Sequence, residues 1–504
     1  MNEQPFDRRR FLKTGSVAVA GSTLLPATTV AQETASEIAD WNDLDNIRDN
    51  LGEDYVLVTD LDAESDGYDD LVGDPDDGWT PIGNRSNPFT GTLDGDGYEI
   101  ADLTINQPNQ NYVGLFGETD EARIVDLSAT DADITGDQFT GTFIGDAELT
   151  TMVDLATTGE VQGSKMVGGL AGRSNNLHEI RDSQSSTAVS GDNRVGGLVG
   201  EFAEGDMMNA AATGPVSGDD FVGGLIGRGF FAAFIENSHA TGAVSDGSSM
   251  GGLVGQASDM TIRESYATGD VTGETSLGGL VGSNVFASVE RSYATGTVDG
   301  DGRVGGLVGA VSEGGEVVDC YASGAVSGET AGGVVGITYV YDGIHTSYAV
   351  GSVSGTETAG GLVGREDTSE IHDSYWDVPA TGQTNGDGGG TIGTVDEDSD
   401  GGGMGFGTLD EEPPAEEMTG DEAEENMEGF DFDEMWETVV DPDDYPRLQW
   451  QAATESPLEP YTNENNVVDT SGLLDAINDW RSAQIDTALL LDVIDAWRTG
   501  TRIP

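Results

Sequence analysis

Apolar positions between residues 111 and 380 return in a fixed order every 27 or 28 residues. The most regular element is Val-Gly-Gly-Leu-Val-Gly and its variants. Taking the second position of its glycine pair, it recurs at Gly114, Thr142, Gly169, Gly197, Gly224, Gly252, Gly279, Gly306, Gly333 and Gly361. Midway stands a second block, Ile262-Arg-Glu-Ser265-Tyr266-Ala-Thr-Gly269-Asp-Val271-Thr-Gly273, which returns at 289–300, 317–328 and 344–355. Self-similarity at a fixed period marks a stack of small units that bury their apolar faces against one another.

A unit of this length fits three strands of about five residues and three bends of about four, which is one coil of a solenoid. Runs such as Gly196-Gly197-Leu198-Val199-Gly200 hold too many glycines for helix interiors. Glycine is expected to supply the positive φ that the bends require. The fold is therefore read as mainly β: a right-handed parallel β-solenoid of about ten coils, roughly 45 Å long, with a small C-terminal α-helical hairpin.

The columns say what points inward. Val161, Val189, Val216, Val244, Val271, Val298, Val326 and Val353 form one apolar ladder, and the leucines from Leu170 to Leu362 form another. Ser183, Ser238, Ser265, Ser292, Ser347 and Ser374 share a third column, in which Cys320 reads as a small packed residue. Beside it run His239, Tyr266, Tyr293, Tyr321, Tyr348 and Tyr375. Facing solvent, this strip would be a carbohydrate-stacking platform; facing its neighbours, it would be a structural ladder of stacked rings.

Both flanks depart from the repeat. Residues 38–110 read as an N-terminal cap, with a strand at 55–59 and a turn at Asp94-Gly95-Asp96-Gly97. Residues 381–450 begin with a glycine-rich flexible linker or loop at 386–403. They end in an aromatic segment, 429–448, expected to cap the last coil. A 17-residue duplication at 461–500 gives two amphipathic helices, with Asp469 and Asp486 where N-caps belong.

Charge adds the surroundings. There are 93 acidic against 20 basic residues, a formal net charge of −73, and the acids are spread along nearly the whole chain. Such a surface suits molar salt, which screens self-repulsion within a few ångströms, and it excludes nucleic acid and anionic lipid as partners. Arg173, Arg194, Arg228, Arg303 and Arg365 beside the glycine motifs are expected to bridge acids. A single cysteine leaves no intrachain disulfide.

Several segments resemble known families. Arg8-Arg9-Arg10-Phe11-Leu12-Lys13 and the weakly apolar stretch after it resemble a twin-arginine export signal over residues 1–31. The Val-Gly-Gly-Leu-Val-Gly units, the entry at Trp79 to Gly97 and the last coil at Ile371 to Asp377 resemble the GLUG-repeat family. That family includes secreted and surface proteins, adhesins and IgA-cleaving peptidases among them. With the acidic composition, the resemblance implies a GLUG-repeat protein of a haloarchaeon. The duplication at 461–500 resembles a degenerate dockerin. That resemblance implies docking on a cohesin-like partner, or self-association, and calcium held by Asn463, Asn465 and Asp469. Tyr461 and Gly472 stand where the first loop wants carboxylates, and the second loop is cut short.

No enzyme motif emerges. His178-Glu179 is followed by Ile-Arg-Asp, so the zinc-peptidase pattern is missing, and no phosphate loop or nucleophile elbow is found. An Asp-rich loop from Asp60 to Asp77 is a further calcium candidate. No stretch after the leader has 18 apolar residues, so membrane insertion is not expected. The expectation is a non-catalytic structural or adhesive protein, extracellular or at the cell surface. Its ligands would be an extracellular glycan or a cell-envelope protein, and it needs no cofactor beyond calcium. The alternative is a carbohydrate-binding or polysaccharide-degrading β-helix.

Overall fold

The structure is a computed structural model, and it describes residues 35–74, 76–176, 179–339, 343–366, 370–389, 404–408, 413–440 and 443–454. From Ser36 onward the chain forms a parallel β-solenoid of about eleven turns. A representative coil has four strands rather than three: Val254–Ser258, Thr261–Arg263, Tyr266–Ala267 and Val271–Gly278. The first of these belongs to a ten-stranded sheet with one strand per coil, from Phe116–Asp120 to Val363–Arg365. The other three belong to a continuous parallel network on the remaining sides.

Register is set by the columns. The valine ladder pairs residue on residue, Val244 with Val271, Val271 with Val298 and Val298 with Val326, and every member is buried. The leucine column is fully enclosed, and its backbone links coil to coil, as in Leu253 N to Leu280 O at 2.9 Å. The serine column is buried as well. Each hydroxyl donates to the carbonyl two residues back and accepts from an amide one coil below. Ser292 Oγ, for example, bonds Glu290 O at 2.7 Å and receives Ser265 N at 3.2 Å. These hydroxyls satisfy bend groups that would otherwise be buried without partners. Cys320 keeps the pattern, with its thiol on Val318 O at 3.2 Å.

Glycine acts differently from the expectation above. None of the paired motif glycines has positive φ; the left-handed positions at the bends are mostly Asp, Asn and Glu, such as Asp182, Asn237 and Asp319. Short polar side chains tolerate that region. The motif glycines are required by close approach instead. A Cβ on Gly279 would stand 2.8 Å from the Cβ of Ala294 across the coil, and closer still to the carbonyl oxygen of Gly306 in the next.

Both flanks are continuous with the stack. Ser36–Ile38, Tyr55–Leu57 and Thr92–Asp94 add parallel rungs ahead of Arg123–Thr135. Trp41 and Trp79, ring centroids 5.7 Å apart and fully buried, fill the interior at that end with Leu44 and Ile47. At the other end the glycine-rich segment does not begin as a linker. Asn385 and Gly386 accept from Gly361, Leu362 and Val363 and so form a further rung.

Candidate functional site

The aromatic column is a stack of parallel rings. Centroid separations are 4.7 Å from His239 to Tyr266 and 4.9 Å from Tyr266 to Tyr293. They are 4.9 Å from Tyr293 to Tyr321 and 5.1 Å from Tyr321 to Tyr348, with planes within 5° throughout. Ring spacing is thus set by the strand spacing of the sheet that carries the rings.

The C-terminal segment lies along this column instead of covering the last coil alone. It comprises a helix, Gly420–Asn426, an antiparallel pair, Trp436–Val440 with Asp443–Leu448, and a short helix, Gln449–Thr454. Phe406 and Phe430 pack on Tyr375, Trp436 on Tyr348 and Tyr321, and Trp450 on Tyr293 and Tyr266. The phenol groups are used in the contact. Tyr348 donates to Pro446 O, Tyr375 to Glu428 O at 2.7 Å, and Tyr321 receives Gln451 Nε2 at 2.8 Å. Trp450 Nε1 donates to Arg291 O at 2.8 Å.

Tyr321, Tyr348 and Tyr375 are therefore buried, and Tyr266 and Tyr293 half-buried. Burial pushes the Tyr293 hydroxyl up to about 12, and those of Tyr321, Tyr348 and Tyr375 well above the usual phenol range. Burial lowers the pKa of His239 at the start of the stack. Along its buried length this column is a neutral packing surface under a strap, not an open platform for sugar rings.

A charged ladder, of which the sequence had pointed only to the arginines, runs up the ten-stranded sheet. Glu118, Asp146, Arg173, Glu201 and Arg228 stand in successive coils at one register position. Arg173 grips Asp146 with two bonds of 2.8 and 2.6 Å and lies over the Phe139 ring at 4.9 Å. Arg194 meets Glu201 at 2.9 Å. Glu118 is buried with one oxygen unpartnered; burial first, and Asp146 second, push its carboxyl up to about 7. Arginine bridging thus holds for Arg173 and Arg194. Arg228 sits over Phe230 at 4.8 Å, and among the described residues no ion pair forms at Arg303 or Arg365.

Three carboxylates of the Asp60–Asp77 loop are taken up by hydrogen bonds within the protein. Asp62 accepts from Glu64 N and Ser65 Oγ, Asp74 from Asp76 N, and Asp60 from Glu99 N. Among the described residues no group of three or more His, Cys, Asp or Glu is placed to hold a metal ion. Asn463, Asn465 and Asp469, the helix pair at 461–500, His178 and the leader at 1–31 lie outside the described residues. No helix among the described residues is long and apolar enough to cross a membrane.

Coil, column and glycine pair define a parallel β-solenoid carrying GLUG repeats: residues 246–272, 273–299 and 300–327 match the family model described as the GLUG motif. Among individual proteins the chain is homologous to halomucin of Haloquadratum walsbyi, 34% identical over 156 residues, which is 30% of this chain and 2% of halomucin. It is also 41% identical over 99 residues to a protein of Evansella cellulosilytica provisionally named a Gly-rich membrane protein, covering 19% of this chain and 10% of that one. The chain thus spans a small part of the length of either relative. A crystal structure from Bacteroides ovatus, provisionally titled an immunoglobulin A1 protease, aligns with 83% of this chain and 93% of its own. The identity is 17% and the TM-score 0.29.

Proposed function

We propose that the chain is a secreted or cell-surface structural and adhesive β-solenoid, without catalytic activity, from a haloarchaeon. The observation that carries this reading is the continuous parallel pairing of coil on coil, interrupted only by local bulges, from Ser36–Ile38 to the rung at 385–387. Such a stack is a stiff element whose side chains repeat along its sides. Homology to halomucin and the GLUG repeats support a surface setting. The acidic composition supports life in molar salt. In this proposal residues 1–31 direct export by the twin-arginine route. The 461–500 pair docks on a cohesin-like partner or a second copy, with calcium on Asn463, Asn465 and Asp469.

The test is location. Antibody labelling of intact cells in molar salt, with fractionation of envelope and medium, should place the full chain outside the cytoplasm. Arg8→Lys with Arg9→Lys should hold it inside. Native protein found only in the cytoplasm would remove the proposal. Release of new reducing ends from polysaccharides by the purified chain would defeat its non-catalytic part.

A further inference from the structure

Three of the six exposed large apolar side chains among the described residues stand on one corner row: Leu149, Phe231 and Phe286, the two rings 57% and 60% exposed. The row is the bend that follows each strand of the ten-stranded sheet; Asn176, Glu204, Phe231, Asp259 and Phe286 occupy it in successive coils, all left-handed. That conformation suits Asn and strains a bulky aromatic residue. Phe231 packs edge-on against Phe230, ring centroids 4.6 Å apart, but more than half of each ring in this row faces solvent in a strained bend, which points to a use outside the fold.

The bends here also differ in length. Two residues, Glu204 and Gly205, separate Val199–Ala203 from Asp206–Met208; three separate Ile226–Phe230 from Phe234–Glu236. In the longer bend Phe231 and Ala232 are both left-handed. The difference leaves a notch of about 710 Å³, with Gly205 and Met208 in it, Phe231 beside it, and Glu204, Asp206 and Asp259 around it. No lysine or arginine lines it; Glu179, also in its lining, is held by Arg181 at 2.8 Å, whereas Glu204, Asp206 and Asp259 are the carboxylates with no ion pair among the described residues. Phe286 continues the row two rungs beyond Phe231, about 10 Å away at the strand spacing of a sheet.

We propose that this corner binds a neutral, hydroxyl-rich glycan chain. Sugar rings stack on the faces of Phe231 and Phe286, and their hydroxyls donate to Asp259 between the rings and to Glu204 and Asp206 one coil before them. Carboxylates without a cation accept hydroxyl hydrogen bonds and repel uronic-acid and sulfated chains. The inference rests on the surface role proposed above and gives it a ligand class, at residues separate from the tyrosine column.

The experiment is an oligosaccharide array of neutral, N-acetylated, uronic-acid and sulfated chains, probed with the full-length protein in molar salt. Neutral chains should be retained. Phe231→Asn with Phe286→Asn should cut retention at least tenfold without lowering the melting temperature, because Asn already stands in this row at Asn176. Phe286→Trp should keep or raise it. Failure to retain any neutral chain would overturn the proposal. So would retention untouched by the Asn pair, or capture of an oligo-lysine peptide that depends on the same two rings. Surface labelling of cells is independent of this outcome, so failure here stays distinct from failure of the surface role.

Discussion

Replacing Gly279 by Ala tests the claim that the glycine pair serves close approach. The added methyl would stand 2.8 Å from Ala294 Cβ, where carbon atoms pack at about 3.5–4.0 Å. It would also stand 3.2 Å from the carbonyl carbon of Gly306 and closer to its oxygen. Relief requires the coils to part by about 1 Å. That shift falls on Gly279 N to Gly305 O at 3.3 Å, Leu280 N to Leu307 O at 2.9 Å and Val281 N to Leu307 O at 3.0 Å. Overpacking costs about 1–3 kcal/mol and each of the three weakened hydrogen bonds about 1 kcal/mol, so a loss of about 4–6 kcal/mol is expected.

Denaturant unfolding in molar salt measures the total, and hydrogen exchange locates it. Peptides across 271–310 should lose protection while those across 123–200 keep it, since coils couple mainly to their neighbours. Adding Ala294→Gly removes only the side-chain part of the clash, so the double variant should recover less than half of the loss. A cost below about 1 kcal/mol, or full rescue by Ala294→Gly, would refute the reasoning.

Trp436→Ala should cost about 3–5 kcal/mol locally and release the strap, read as new protease cleavage within 404–454 and solvent exposure of Tyr321 and Tyr348. Cys320→Ser should be tolerated within about 1 kcal/mol, because serine makes the same bend contact in the neighbouring coils. The native Cys320 thiol, buried and pushed well above its usual pKa, should resist disulfide reagents until unfolding. Glu118→Gln should flatten the pH dependence of stability. Because the folded pKa is raised to about 7, Glu118 favours the fold most below about 4.5, and that contribution falls as pH rises to about 7. Above that pH the variant should be more stable by at most about 3 kcal/mol, less where water reaches the group, as pH-dependent thermal melts would show.

The solenoid was legible because its columns repeat: the valine, leucine and serine ladders predicted from spacing are the ladders that pair. The bends were misread because left-handed backbone was assigned to glycine. The sequence signal lay elsewhere, in the Asp and Asn recurring just before the serine column, as at Asp182 and Asn237. The tyrosine column was placed correctly, but its cover was not. Trp450 meets Tyr266 across 184 positions of sequence, and no repeat period encodes a contact made once. Arg173 was expected to bridge acids, but its partner Asp146 and the neighbouring Glu118 escaped notice for a related reason. They share one register position but not one residue type, so a search for self-similarity passes over them. The corner notch likewise comes from a difference in bend length, visible only as a step of 28 residues between Gly224 and Gly252 where the preceding step is 27.

Deviations from the period thus carry what the period cannot, and the strap shows it in energetic terms. A pure repeat stack is held by nearest-neighbour contacts, so it can fray coil by coil from either end. The segment from Phe406 to Gln451 contacts Tyr375, Tyr348, Tyr321, Tyr293 and Tyr266, five successive coils, through rings and through bonds such as Tyr375 to Glu428 O and Gln451 to Tyr321. Losing the last of these coils therefore strips contacts from a structure that also holds the fifth. Fraying from that end becomes cooperative over the strapped length, while the coils before His239 depend on stacking and on the charged ladder. The aromatic column, which the sequence left open between a ligand platform and a structural ladder, is what joins the C-terminal coils into one unfolding unit.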